Sequence, residues 1–323
     1  MSVRCGYACI SQVLRKDDIF TSRTLRMQTF REKGIEYVRS LVTANVADLA
    51  KLIEYNEQHG YRFFRISSEI FPHISNEELG EMIDNYTIDF THKQLAEIGA
   101  AVRKYGHRIT AHPSQYVQLG TPRDEVLRRS IRDLRHHAEI FNAMGLEPRH
   151  GTVMILHGGG SYGDKAATLA RWEKSYSELP EDIRKYIVLE NDETQYSVMD
   201  LLPMCERNRI PICIDFFHHE CMFGSYDDLI KNEDLLTRVH NIWASRGIKQ
   251  KIHYSSQRDG ARLGTHDDYI KSGALKDILK FCAKWSSDIM CECKQKDLCL
   301  QRVLDEYFVK QYSGESFYWK LNI

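Results

Sequence analysis

Residues 210–219 have the sequence IPICIDFFHH, in which a nearly continuous apolar run ends in an acid and two imidazoles. The run is too short for an independent helix, and its composition is typical of a β-strand buried on both faces. Its polar end places Asp215 and His218 at the edge of a core, where an unpaired charge is costly unless something binds it. A metal ion is the simplest partner. The alternative is a strand whose polar end meets water, and the other strands decide between the two.

Eight strand-like segments alternate with helical patterns along the chain. We expect strands over residues 3–11, 62–67, 107–112, 152–157, 186–190, 210–215, 250–254 and 288–293. Apolar residues at helical spacing predict helices over 35–59, 91–105, 124–144 and 197–207, over 226–244, and within 164–179 and 267–285, with a last helical stretch near the end. Residues 12–34 have no clear period and are expected to form a loop. Strands joined by helices predict a parallel sheet, so we expect an α/β fold that closes into a single (β/α)8 TIM-type barrel.

The chain has no linker rich in Pro, Gly or Ser that would divide the barrel. We therefore expect one barrel domain over residues 1–300. Residues 301–323 are expected to form a C-terminal extension that packs on or beside the barrel, with Phe317, Tyr318 and Trp319 as its aromatic residues.

Composition excludes several classes of protein. A net charge of -1 with 28% charged residues gives no global signal for nucleic acid or membrane, so an anionic partner must meet a local patch. The nine cysteines lack regular spacing, and the N-terminus lacks a secretory pattern. No apolar run reaches the ~18 residues of a membrane span. We expect a monomer in a reducing compartment, cytoplasmic or nuclear.

Polar side chains recur at or near the carboxyl ends of the predicted strands, which converge at one mouth of a barrel. With His266 and His218 added, this mouth holds five imidazoles and three carboxylates, too many for one ion and enough for two or three. Mixed nitrogen and oxygen ligands favour Mn or Zn, whereas sites built only from oxygens would favour Mg. The residues at or near strand ends are Tyr7, His112, His157, Glu190, Asp215, His253 and Glu292.

Several divalent ions at one site suit phosphodiester hydrolysis, since they acidify a water nucleophile and neutralise the phosphate. Lys251 lies two residues before His253 and should point to the same side of its strand. An ordinary ammonium is unfavourable among cations. Lys251 must therefore turn away, lose its proton, or be carbamylated into a metal-binding anion.

The segment His112–Tyr116 places a candidate ligand, a stiff Pro turn, and then an amide and an aromatic ring beside the mouth. Gln115 and Tyr116 projecting together could enter a duplex and take the place of displaced bases. The alternative is a tyrosine that packs on its own loop.

These residues together resemble the ultraviolet damage endonuclease family, with the related barrel of the endonuclease IV type behind it. The order and combination of the motifs are specific, although each motif alone is weak. The resemblance rests on Gly6 and Tyr7, residues 65–68 with Phe71 and Pro72, His112–Tyr116, Leu156 and His157 with Gly159 and Gly160, residues 189–192, Asp215 with His218 and His219, Lys251 with His253, Ser255 and Ser256, His266, and Glu292 with Lys294 and Lys296.

The resemblance implies a DNA repair endonuclease of the TIM-barrel type. Such an enzyme nicks double-stranded DNA immediately 5′ to UV photoproducts, including cyclobutane pyrimidine dimers and 6-4 photoproducts, and leaves 3′-hydroxyl and 5′-phosphate ends. It uses up to three divalent metals, most often Mn²⁺, with Mg²⁺, Co²⁺ or Zn²⁺ as other candidates.

The same resemblance implies roles for individual residues. His112, His157 and Glu190 would hold one metal, and Glu190 would bridge to a second. The second metal would be held by Asp215, His253 and Glu292, and the third by His218 and His266, with Lys251 if it is carbamylated. Gln115 and Tyr116 would probe the lesion. Glu190, Lys251 and Tyr7 are the expected catalytic residues.

Two expected DNA-contacting positions depart from the family pattern. Ser11 stands where many relatives have Asn, and Asn76 stands where many have His. Neither change removes a predicted metal ligand. The segment after about Gln301 lies outside the resemblance.

Two other functions fit parts of the pattern. A sugar isomerase or epimerase could use a similar metal-bearing barrel, and a closed polar pocket without the Gln115 and Tyr116 wedge would favour it. A protein that binds damaged DNA without cutting it could arise through the changes at Ser11 and Asn76. The complete set of ligands argues against a pure binder, which has no need of three metals.

Overall fold

A computed structural model describes residues 3–314 and 316–323. Eight strands form one parallel sheet in the order β3-β2-β1-β8-β7-β6-β5-β4. The edge strands β3 and β4 are linked by the parallel bridge Ala111 to Met154, which closes the sheet into a barrel. The strands are β1 (Cys5–Ala8), β2 (Phe63–Arg65), β3 (Arg108–Thr110), β4 (Met154–His157), β5 (Ile187–Glu190), β6 (Ile212–Asp215), β7 (Lys251–Tyr254) and β8 (Asp288–Cys291).

Helices connect the strands and cover the outside of the barrel. They are α1 (Met27–Gln58), α2 (Glu81–Asp84), α3 (His92–Tyr105), α4 (Asp124–Ala143), α5 (Lys165–Glu178), α6 (Glu181–Arg184), α7 (Val198–Asn208), α8 (Phe216–Phe223), α9 (Asp227–Lys231), α10 (Glu233–Ser245), α11 (Ser272–Lys284) and α12 (Lys296–Tyr307). Short 3-10 turns occur at Leu14–Asp17, Glu77–Leu79, Asp89–Thr91 and Pro148–His150. The predicted (β/α)8 TIM-type barrel is confirmed. Among the described residues, none of the helices combines the length and apolar character needed to cross a bilayer.

Several predicted boundaries are wrong, and each has a local cause. Helix α1 begins at Met27, inside the predicted loop. The prediction missed this start because the first part of the helix is polar, with only Phe30 fully buried there, and so shows no apolar period. The left-handed backbone of Gly34 (φ 73°) then interrupts the helix. The helix predicted over 226–244 is divided at Asn232, whose side chain accepts from the Leu235 N–H and starts α10.

Helix α8, the short helices α2 and α6, and the C-terminal hairpin were not predicted. Helix α8 follows β6 without a turn, and its apolar start is indistinguishable from a strand by composition. A two-stranded antiparallel hairpin, β9 (Phe308–Ser313) and β10 (Ser316–Leu321), follows α12. Trp319 donates to the carbonyl of His59, just before β2, so the hairpin lies by the amino ends of the strands.

The barrel interior is filled below its mouth. Ala8, Phe63 and Met290 form a small apolar layer inside the barrel. Gly6 makes room for that layer, since a Cβ at this position would lie 2.5 Å from the Phe63 carbonyl oxygen and 2.7 Å from its ring. Arg108 and Asp288 pair in the interior at 2.9 Å. The open end at the carboxyl ends of the strands is therefore where a ligand can enter.

Candidate metal centre at the barrel mouth

Parallel pairing brings the polar strand ends into register. His157 pairs with Glu190, and Asp215 pairs with His253. Paired residues on neighbouring strands point to the same face, so these four side chains meet inside the mouth. Three groups have ligand atoms that all lie within 4.8 Å of one another: His112 with His157 and Glu190, Glu190 with Asp215 and His218, and Asp215 with His253 and Glu292.

Glu190 is at the centre of the site and has no exposed surface. Its Oε2 lies 2.9 Å from His112 Nε2 and 3.8 Å from His157 Nε2. Its Oε1 lies 2.6 Å from His253 Nδ1 and 3.7 Å from His218 Nδ1. The two oxygens thus face different histidines, which is the arrangement expected of a carboxylate that bridges two ions.

The two carboxylate oxygens of Asp215 have different roles: one caps a helix, and the other faces the site. Oδ1 accepts from the His218 N–H at 2.8 Å and caps α8. Oδ2 is buried and has no hydrogen-bond partner. Burial, together with the carboxylates of Glu190 and Glu292, raises the pKa of Asp215 to about 6. A bound cation would satisfy the free oxygen and offset the repulsion among the three acids.

The imidazoles of His218 and His266 are oriented by backbone carbonyls. His218 Nδ1 donates to the Asn191 carbonyl at 3.0 Å, and His266 Nδ1 donates to the Glu292 carbonyl at 2.6 Å. This leaves Nε2 of each ring available as a ligand. The two rings lie 6.1 Å apart between centroids. His266 is outside the three close groups.

Lys251 lies beneath His253 inside the barrel and is fully buried. Its Nζ is 2.5 Å from His253 Nε2, on the side of the ring away from Glu190. Burial lowers the pKa of the lysine to about 8 and the pKa of His253 to about 4. A neutral His253 can therefore accept a hydrogen bond from Lys251. The predicted shared direction of these two side chains is present, and Lys251 Nζ contacts His253 rather than His218 or His266.

Gln115 and Tyr116 stand at the rim of the mouth. Tyr116 is 79% exposed, and both residues line a cavity of about 780 Å³ together with His157, His218 and Glu292. Gln118 joins this rim to the Gly158–Gly160 turn, because its Oε1 accepts from the Gly160 N–H at 3.3 Å and from the Tyr162 hydroxyl at 2.5 Å. The cavity is thus bordered by metal-binding groups and by a projecting aromatic ring.

Tyr7, which was expected to line the site, faces the helices instead. Its hydroxyl donates to Asn56 at 2.6 Å, and its buried ring packs on Tyr61 and Phe64. Tyr7 is paired in register with Phe64, and both point out of the barrel. The expectation failed because a short strand buried on both faces has no alternation that reveals which residues point inward.

The two expected DNA-contacting positions also have structural partners. Ser11 is fully buried, and its hydroxyl donates to Asp297 at 2.5 Å. The Asn76 side chain accepts from the Glu78 N–H and starts a 3-10 turn. A DNA contact by Ser11 would require this buried bond to break, whereas Asn76 is partly exposed and lines a cavity beside Tyr116.

Two site residues received no role from the sequence. Arg65, at the end of β2, pairs with Glu292 through Nη1. Asn191 exchanges two 2.8 Å hydrogen bonds with the backbone of Asp215 and so positions that acid. Arg65 is the last residue of β2, and Asn191 directly follows β5. Their positions at strand ends are the signal that could have identified them.

The fold and the site define a class: a TIM-type barrel whose mouth carries histidine and carboxylate ligands suited to divalent metal ions. The donor set and the orphaned Asp215 Oδ2 both fit such ions. The family model described as UV-endonuclease UvdE matches residues 3–319, and the chain belongs to this family. The match includes most of the C-terminal hairpin, so the expectation that the resemblance ends near Gln301 is wrong.

Relatives from several sources match nearly the whole chain. A protein of Acanthamoeba polyphaga mimivirus is 40% identical over 95% of this chain and 92% of its own length. The UV-damage endonuclease of Schizosaccharomyces pombe is 36% identical, over 94% of this chain but 50% of its own length. This chain therefore spans about half of the fission yeast protein.

Solved structures agree with the family. The structure of SacUVDE superposes with a TM-score of 0.81 at 28% identity, over 94% of this chain and 98% of that one. Endonuclease IV of Thermus thermophilus has a TM-score of 0.55 at 15% identity, over 80% and 93% of the two chains. At this identity the second likeness concerns the fold alone.

Proposed function

We propose that this protein is a metal-dependent endonuclease that cuts duplex DNA immediately 5′ to UV photoproducts and leaves 3′-hydroxyl and 5′-phosphate ends. The observation that carries the proposal is the buried cluster around Glu190, with its two oxygens facing different histidines. Membership of the UV-endonuclease family supports the substrate class. Cyclobutane dimers, 6-4 photoproducts and other distorting lesions are the proposed targets.

Up to three divalent ions, with Mn²⁺ the first candidate and Mg²⁺, Co²⁺ or Zn²⁺ the others, would be held at the mouth. His112, His157 and Glu190 would hold one, and Asp215, His253 and Glu292 would hold a second that shares Glu190. His218 and His266 are the proposed ligands of a third. Such ions supply an acidified water nucleophile and neutralise the charge of the phosphate.

Residues of the chain position these ligands. Lys251 holds the His253 ring from below, and Asn191 fixes both Asp215 and His218. Arg65 adds a positive charge beside Glu292. These partners hold the ligands in place before DNA binds, and preorganisation of this kind reduces the reorganisation needed during reaction.

Gln115 and Tyr116 are the proposed lesion probe. They project from the rim, with Tyr116 the most exposed large apolar side chain of the described residues. A damaged base pair costs less to unstack than an intact one, so distortion itself supplies selectivity. An open mouth with an exposed aromatic ring suits a large polymer better than a small sugar, which disfavours the epimerase alternative.

We further propose a monomer that works in the compartment holding the DNA. The proposed division after residue 300 falls within helix α12, so the extension proper would be the hairpin β9–β10 beside the amino ends of the strands.

The test is nicking of irradiated supercoiled plasmid with Mn²⁺, followed by mapping of the cut ends. Glu190→Gln keeps the shape of the side chain but removes its charge, and it is expected to lower the nicking rate by about a thousandfold or more. Glu97→Gln, on the exposed surface of α3, is the matched control and should nick at the wild-type rate. Near-normal nicking by Glu190→Gln would refute the proposed metal centre, and a wild type that binds irradiated DNA without cutting it would favour the binding-protein alternative.

A further inference from the structure

The loop that follows β7, residues 255–266 and here called the β7 loop, carries an exposed apolar side chain. Leu263 is 65% exposed, although Gly264 and His266 of the same loop line the cavity of about 780 Å³ at the barrel mouth, here called the mouth cavity. A single exposed leucine is common on protein surfaces and by itself indicates no function. The position and the rigidity of the β7 loop are therefore the observations that give Leu263 a role.

The β7 loop lies across the mouth from the segment that carries Tyr116. Around the closed barrel, β3 and β7 are separated by β4, β5 and β6 in one direction and by β2, β1 and β8 in the other. The segments that follow these two strands therefore leave the barrel on diametrically opposite sides. Gln115 and Tyr116 border the mouth cavity from the side of β3, and Gly264 and His266 border it from the side of β7. A ligand in the mouth thus lies between the two segments.

Hydrogen bonds inside the β7 loop fix its shape. The Gln257 side chain donates from Nε2 to the Arg258 carbonyl at 3.0 Å and accepts through Oε1 from the Gly264 N–H at 2.9 Å. Gln257 and His266 also form an antiparallel bridge at the base of the loop. Because Gln257 ties the base of the loop to its tip, Leu263 is held in place before a ligand arrives, which lowers the ordering cost of binding.

Arg262, next to Leu263, is an exposed cation. Arg258, the other arginine of the β7 loop, is neutralised by Asp268 at 2.8 Å. Within the described part of the chain, the guanidinium of Arg262 makes neither an ion pair nor a hydrogen bond. An aliphatic side chain beside an uncompensated cation suits duplex DNA, because base steps accept apolar wedges and phosphates bind cations.

We propose that Leu263 is a second wedge, which enters the duplex beside the lesion from the side of the mouth opposite Tyr116, while Arg262 binds a neighbouring phosphate. This inference rests on the proposed function, since it takes duplex DNA as the ligand of the mouth. The damaged dinucleotide is then bracketed by two projections. Because His266 belongs to the same loop, a duplex held by Leu263 is also aligned with the metal ligands.

The two residues of the β7 loop contribute differently to recognition. Insertion of Leu263 unstacks a base step, which costs less where a lesion has already weakened the stacking, so this contact favours damaged DNA. A phosphate contact by Arg262 is the same on every sequence and on undamaged DNA, so it adds affinity without selectivity. Substitutions at the two positions should therefore have different signatures.

The test of Leu263 compares damaged with undamaged DNA. Single-turnover nicking of a duplex with one cyclobutane dimer is titrated with protein in Mn²⁺ to separate apparent affinity from maximal rate, and the undamaged duplex is added as competitor to measure its affinity. Leu263→Ala is expected to weaken affinity for the dimer duplex about tenfold, since it removes most of one apolar side chain from the complex. Affinity for undamaged DNA and the maximal rate should change less than about twofold. Leu263→Met keeps the apolar volume and should restore affinity for the dimer duplex.

The test of Arg262 uses salt. Arg262→Gln is expected to weaken binding of both duplexes by the same factor and to reduce the slope of log affinity against log salt concentration by about one. Tyr312→Ala is the matched control for both positions, because Tyr312 is an apolar residue 75% exposed on the hairpin by the amino ends of the strands. It should leave both affinities at the wild-type values.

The outcomes separate this inference from the proposed function. A wild type that does not nick the dimer duplex overturns the proposed function and this inference with it. A wild type that nicks, with Leu263→Ala either binding the dimer duplex normally or losing equal affinity for both duplexes, overturns the second wedge alone. Failure of Leu263→Met to restore affinity also overturns it, and an unchanged salt slope in Arg262→Gln overturns the phosphate contact.

Discussion

Two buried carboxylates, those of Asp215 and Asp133, each use their two oxygens for different contacts. Asp215 starts helix α8 with one oxygen and directs the other, unpartnered, into the metal centre. Because the cap fixes the side chain, the free oxygen is held in place at no further entropic cost from side-chain ordering. Asp133 behaves similarly on α4, where Ser75 donates to one oxygen at 2.9 Å and His137 lies 3.2 Å from the other.

The Asp133 and His137 pair predicts a pH dependence of stability. The pKa of His137 is raised, so its stabilising contribution is complete below its unfolded value near 6.5 and is lost as pH rises through the folded value. The pKa of Asp133 is lowered, chiefly by His137 against the effect of burial, so its contribution is lost only in acid. The stability difference between wild type and His137→Gln should therefore shrink as the pH rises above about 6.5 in urea unfolding. A difference that grows with pH would contradict this assignment.

Among the elements, the C-terminal hairpin is joined to the barrel in part by Trp319. Trp319 donates to the His59 carbonyl at 2.9 Å and packs over Gly60. Gly60 has a left-handed backbone (φ 69°), and a Cβ at this position would lie 3.1 Å from the indole. The hairpin lies at the end of the barrel away from the metal centre. Its contribution should be to stability rather than to activity.

We expect Trp319→Ala to lower the free energy of unfolding by about 2 kcal/mol, through lost apolar contact and one lost hydrogen bond. The nicking rate per folded molecule should stay at the wild-type value. Tyr312→Ala, at a hairpin position that is 75% exposed, is the matched control and should change stability by less than ~0.5 kcal/mol. A large loss of nicking in folded Trp319→Ala would show that the hairpin acts on the site.

At the scale of the whole molecule, one buried ionic cluster joins opposite sides of the barrel. Arg108 of β3 contacts Asp288 of β8 at 2.9 Å and the carbonyls of Gly151 and Lys249, each at 2.9 Å. Lys249 also reaches Asp288, at 2.5 Å. Since β3 closes against β4 through a single bridge, these contacts reinforce the weakest seam of the barrel.

Asp288→Asn should be strongly destabilising because it leaves Arg108 buried without its counter-charge. We expect a loss of about 3–5 kcal/mol in urea unfolding. Glu206→Gln removes an equally short acid–arginine contact, 2.7 Å to Arg238, but on the surface, where the expected loss is under ~1 kcal/mol. Similar losses in the two variants would show that the barrel does not depend on its interior cluster.

The sequence by itself determined the eight strands, the barrel and most of the side chains that meet at the mouth. It could do so because parallel strands with helical crossovers have few ways to close, and because acids and imidazoles are costly at buried strand ends unless they share ligands. His112, His157, Glu190, Asp215 and His253 could therefore be grouped before any contact was known.

Only the tertiary structure decided the direction of side chains and the boundaries of elements without a period. Tyr7 faces helices, Ser11 is tied to Asp297, and helix α8 begins directly at the end of β6. A four-residue strand buried on both faces has no alternation that separates its two sides, and contacts between residues hundreds of positions apart leave no local trace.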